Sequence, residues 1–177
     1  MANYRLLQLN ENEKKIRVIF QLLVLTITQQ SCNGQGIDSI IKKYDNTDFS
    51  SLKGFSVSFR SPGHQNNASI YFMNSYGGKC SPYIVELNNR DKTIVNISND
   101  LVLKSCSQDY LSREKITQVL IGYVQYDLCL VQVDNEGNVY INPDKPGRAT
   151  LLRKSKSSTP KDLTSFEHYK GNWYIRK

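Results

Sequence analysis

Within residues 112–126 the chain changes its hydrophobic period, and no other feature constrains its fold as much. Ile116, Val119, Leu120 and Tyr123 follow the i, i+3, i+4, i+7 spacing that puts four apolar side chains on one face of a helix. Ser112 stands where it can cap that helix, and Leu111 and Ile116 stand where they can staple its entry. On both sides the period falls to two. Phe55, Val57 and Phe59 alternate with serines, and residues 69–73, 83–87 and 93–97 read as further strands. Cys129, Val131 and Val133 alternate after the helix, and Val139-Tyr140-Ile141 returns beyond the turn-forming run from Asp134 to Asn138. Two late strands are expected near residues 150–153 and 172–176. Ahead of all of them, Ile37, Ile40, Ile41 and Tyr44 form a short helical pattern with Asp38 as its expected cap. Strands, one helix and more strands predict an α+β fold: a largely antiparallel sheet with one main amphipathic helix and a short N-terminal helix.

The chain has material for one such unit. Leu, Ile, Val and Phe number 48 of 177 residues, enough for one core and more than a disordered chain carries. The run from Val18 to Thr28 holds the longest apolar stretch. Lys14, Lys15 and Arg17 precede it, and Gln29, Gln30, Ser31 and Cys32 follow. As a helix it would reach only about 16 Å, short of a hydrocarbon core of about 30 Å, so its order of charge, apolar run and small residue is that of an export signal.

With a cysteine directly after that small residue, the segment resembles a bacterial lipoprotein signal with a loose lipobox of the Bacteroidota type. The resemblance implies that residues 1–31 are a signal peptide, that Cys32 is lipidated, and that residues 32–36 are a flexible tether to a globular domain at 37–177. It also implies a membrane partner through the lipid anchor and a place in the cell envelope, at the outer membrane facing the periplasm. More than one acyl chain makes such attachment durable.

Motifs for chemistry are sparse. His64 lies in a loop and would have to find Cys80 to make a nucleophilic dyad, and the other histidine, His168, has no such neighbour in sequence. Gly77-Gly78-Lys79 lacks the upstream glycine and following hydroxyl of a phosphate cradle. The Asp134–Asn138 run lacks the alternating ligands of a calcium loop and reads as a turn. Cys80, Cys106 and Cys129 have no C-x-x-C pair to hold zinc, so no metal and no cofactor are expected. Cys80 and Cys106 are the expected disulfide, with Cys129 left as a buried thiol in a strand.

Charge is uneven. Residues 32–143 carry 10 basic and 11 acidic side chains, and residues 144–177 carry 9 and 3. Arg148, Arg153, Lys154 and Lys156, with Trp173 nearby, therefore read as an exposed binding face for an acidic protein partner or anionic headgroups. Nucleic acid is disfavoured for an exported chain. Together these features predict a lipid-anchored, non-enzymatic binding or interaction domain, such as an immunity protein or an envelope accessory protein. The alternative is a small envelope hydrolase or isomerase with its site in a concavity of the sheet.

Overall fold

Residues 36–177 are described by a computed structural model, and one sheet organises them. Strands β1 (Phe55–Pro62), β2 (Ala68–Ser75), β3 (Tyr83–Asn88) and β4 (Ile94–Ser98) form a first meander. Strands β5 (Leu130–Val133), β6 (Val139–Asn142) and β7 (Leu151–Arg153) begin a second, which β8 (Phe166–Lys170) and β9 (Trp173–Arg176) complete. The strand order is β4-β3-β2-β1-β5-β6-β7-β9-β8, and every pair of neighbours is antiparallel. The meanders meet where β1 pairs with β5, and there Val57 stands opposite Val131 on one side and Met73 on the other.

Among the described residues three α-helices accompany the sheet: α1 (Ile37–Tyr44), α2 (Asp100–Cys106) and α3 (Arg113–Tyr123). Ser112 caps α3, its hydroxyl accepting the Lys115 N–H at 3.2 Å, and Ile116, Val119, Leu120 and Tyr123 are buried. The expectation of one main helix needs correction. α1 is amphipathic as well, burying Ile40, Ile41 and Tyr44 while Asp38, Lys42 and Lys43 face water, but Ile37, expected on its apolar face, is exposed. Its cap position is Gly36, and Asp38 lies in the first turn without a capping hydrogen bond. α2 went unforeseen because its apolar residues Leu101, Val102 and Leu103 are consecutive and only Val102 is buried, which leaves no helical period to read.

Alternation sorts the strand residues into two clusters. Val57, Met73, Val85, Val131, Ile141, Leu151 and Trp173 pack with the buried residues of all three helices into the main core. The intervening positions point to the other face of the sheet, where Leu130, Tyr140, Ala149, Leu152 and Phe166 make a smaller cluster, with Tyr76, Leu163 and Tyr174 against it. The segment from Lys154 to Ser165 crosses that second face and brings its polar residues over Tyr140.

Cys80 and Cys106 form a disulfide that ties the connection between β2 and β3 to the end of α2. Cys129 is not the leftover thiol it was expected to be, because it too is disulfide-bonded. It is buried at the start of the β5 region, where its N–H donates to the Pro143 carbonyl. Cys32 and the rest of residues 1–35, including the expected signal peptide and most of the tether, lie outside the described residues.

Candidate ligand-binding cleft

On the second face of the sheet, the turn between β5 and β6 and the crossing segment 158–162 enclose a cleft of about 630 Å³. Tyr76, Asp134, Glu136, Tyr140, Lys161 and Asp162 supply its aromatic and charged lining. That volume falls within the range of small-ligand sites. Its floor follows from the period of β6: Val139 and Ile141 enter the main core, so Tyr140 must point the other way. The Tyr140 ring stacks on Tyr76, with centroids 5.6 Å apart and planes 22° from parallel. Its hydroxyl donates to Asp162 Oδ1 at 2.9 Å.

One wall is a turn built by Asp134. Its Oδ1 accepts the N–H groups of Glu136 (3.0 Å) and Asn138 (2.8 Å), and Gly137 turns the chain at φ +86°. These bonds and the glycine make a hairpin loop; among the described residues no group of three or more His, Cys, Asp or Glu side chains is arranged to hold a metal ion. Asn138 joins this wall to the opposite one. It is fully buried, donates from Nδ2 to Asp134 Oδ2 (2.6 Å) and Ser158 Oγ (2.8 Å), and accepts the Ser155 N–H on Oδ1 (2.8 Å). Every polar atom of that side chain has a partner, so Asn138 ties the two walls together.

Negative charge dominates the cleft. Burial is the largest influence raising the Tyr76 hydroxyl above its ordinary pKa; Asp162, Asp134 and Glu136 add to it, while the Tyr140 hydrogen bond opposes it. Tyr140 is also raised, first by burial and then by its bonds to Tyr76 and Asp162. Both phenols are therefore neutral at neutral pH. Glu136 is exposed, and its carboxylate has no hydrogen-bond or ion-pair partner among the described residues. Lys161 is the one basic residue in the lining.

The residues singled out in the sequence lie elsewhere. Cys80 is in a disulfide, so it cannot act as a nucleophile for His64, and the histidine instead faces Glu86, with Nδ1 3.2 Å from Oε2. The basic face does not survive as a unit. Trp173 is 1 % exposed and donates from Nε1 to Asp45 Oδ1 at 2.8 Å, because its indole fills the main core. Arg153 donates from one nitrogen to the carbonyls of Tyr44, Asp45 and Thr47 and lies over the Phe49 ring. It closes the C-terminus of α1 instead of facing a partner. Lys154 is half-buried, and only Arg148 and Lys156 of the five are exposed. His168 hydrogen-bonds locally to the Gly171 carbonyl. Gly77 and Gly78 form the turn leaving β2, where the Gly78 N–H donates to Ser75, and Gly77 borders the cleft.

Sequence reasoning passed over Tyr76, Asn138, Tyr140 and Asp162. Tyr140 had a usable signal, an aromatic residue alternating with two core residues; Asp162 had none, since it lies in an irregular segment. No helix among the described residues is long and apolar enough to cross a membrane. No protein-family model, no curated protein and no solved structure matches the chain.

Proposed function

We propose that the chain is an exported, non-enzymatic binding domain of the cell envelope that takes its ligand in the cleft between Tyr76, Tyr140 and Asp162. The observation that carries this reading is the cleft itself, whose two walls are tied together by the buried Asn138. Its polar groups hold the architecture instead of activating a nucleophile: Asp134 builds a turn, and Tyr140 is committed to Asp162. The Cys80–Cys106 disulfide supports export, since such bonds persist in oxidising compartments. Arg148 and Lys156, the exposed remainder of the basic face, would meet anionic headgroups or an acidic neighbour.

The lipid anchor on Cys32 belongs to the same proposal and has a specific competitor. Lipidation places that sulfur in a thioether, which cannot also enter a disulfide, and Cys129 is disulfide-bonded in a chain of four cysteines. Intact-mass analysis of native protein, extracted from membranes under alkylating and non-reducing conditions, reads both fates. The expected species begins at Cys32 and carries acyl mass. An unacylated Cys32 linked to Cys129 overturns the anchor and leaves export standing. Alkylated Cys80 and Cys106, showing free thiols in the cell, overturn export.

A further inference from the structure

Resting on the reading of the cleft as the ligand site, we propose that the ligand is an organic cation whose ammonium or guanidinium group sits against the Tyr76 ring, between Glu136 and Asp162. The full chain is basic, at +7, yet the cleft lining sets three carboxylates against Lys161, with Arg176 reaching only Asp162, at 3.9 Å, from outside the lining. A concave site of that sign draws in positive charge and repels anions. Tyr76 supplies the second element of cation recognition. It is half-exposed, and its ring is backed by the stacked Tyr140, which presents a rigid aromatic surface to the cavity.

The carboxylates divide the work. Asp134 is engaged in its turn, and one oxygen of Asp162 receives the Tyr140 hydroxyl, which fixes the direction of its other oxygen. That second oxygen lies 3.9 Å from Arg176, a long contact that leaves room for a closer donor. Glu136 has no partner to displace. A cation therefore gains two acceptors and a ring face without breaking a bond that holds the fold. A neutral saccharide could use the same acceptors but would gain nothing from the field that Asp134, Glu136 and Asp162 jointly impose on Tyr76.

The test is a ¹H–¹⁵N NMR titration of the oxidised protein with agmatine, maltose and glutarate as cationic, neutral and anionic probes. Agmatine is expected to shift the amides of residues 134–138 and 158–162 saturably, with weaker binding at high salt. Glu136→Gln, an exposed change that leaves the fold intact, and Tyr76→Leu are each expected to weaken it by about two- to fivefold, the size of an exposed charge or cation–π contact. Maltose or glutarate binding at these amides more tightly than agmatine overturns the cation inference while preserving the cleft as a ligand site. Silence of these amides toward all three probes overturns both. Agmatine binding unaffected by either substitution also overturns the assignment of the charge and the ring.

Discussion

A single guanidinium group holds the last turn of α1 to the sheet, and it belongs to a residue whose charge alone suggested a partner-binding role. Arg153 donates to the carbonyls of Tyr44, Asp45 and Thr47 at 2.7 to 2.9 Å, while Trp173 reaches Asp45 from the neighbouring strand. The carbonyls at a helix C-terminus lack intrahelical donors, so a cation there supplies hydrogen bonds and favourable dipole interaction together. Arg153→Met keeps much of the stem's packing but removes those donors, and should lower stability by about 2 to 4 kcal/mol in chemical denaturation. Lys156→Glu, on the surface, should change it by less than about 0.5 kcal/mol. Equal effects from the two substitutions would show that Arg153 is only a solvated charge. Reversing Arg153 along with Lys154 and Lys156 therefore tests folding, not partner binding.

At the scale of elements, the loop joining β1 and β2 is pinned by a carboxylate from β3. Glu86 is buried, and its oxygens accept the His64 N–H at 2.6 Å, the Gln65 N–H at 3.4 Å and the His64 ring at 3.2 Å. Gly63 allows this approach: a Cβ there would lie 2.6 Å from both Glu86 Oε1 and the Ala68 Cβ. Burial alone would raise the Glu86 carboxyl, but the hydrogen bonds from His64 and Gln65 outweigh it and hold the group below its ordinary value of 4.5. A carboxyl depressed by folding contributes stability above its unfolded pKa, and that contribution is lost as pH falls through the folded value. Melting temperature should therefore fall on acidification below about pH 4.5, and Glu86→Gln should be less stable at neutral pH with a shallower acid limb. An identical acid limb in the variant would rule out this carboxylate as its source. The β1–β2 hairpin was legible because Phe55, Val57 and Phe59 alternate; its clamp was not, because the partners are 22 residues apart and no local pattern joins them. The same distinction holds elsewhere. β8 escaped notice because only Phe166 of its five residues is buried, and its place is set by backbone pairing with β9. Tyr140 could be placed on the second face by alternation, but the segment bearing Asp162 reaches it through contacts to Asn138 that have no periodicity.

Across the whole molecule, the two faces of the sheet carry unequal shares of the fold. The main core draws on three helices and both meanders, so its loss removes the packing that joins the two meanders. The second cluster takes its buried residues from the second meander alone, with Tyr76 from the end of β2 packed against them. Leu120 lies at the centre of the first, fully buried on the face of α3 that its spacing assigns to the interior. Leu120→Asp introduces an unpaired buried charge at a cost of several kcal/mol, comparable to the whole stability of a typical domain. It should abolish cooperative melting. Phe166→Ala, in the second cluster, removes a ring that packs near Tyr140 and under Arg176. Its expected cost of about 3 to 5 kcal/mol lowers the melting temperature, but the transition should remain cooperative because the helix-facing core is untouched. Calorimetry on the two variants separates the faces. A cooperative, near-native melt of Leu120→Asp would show that α3 does not seal the main core, whereas loss of cooperativity in Phe166→Ala would make the cleft side an equal partner in the fold.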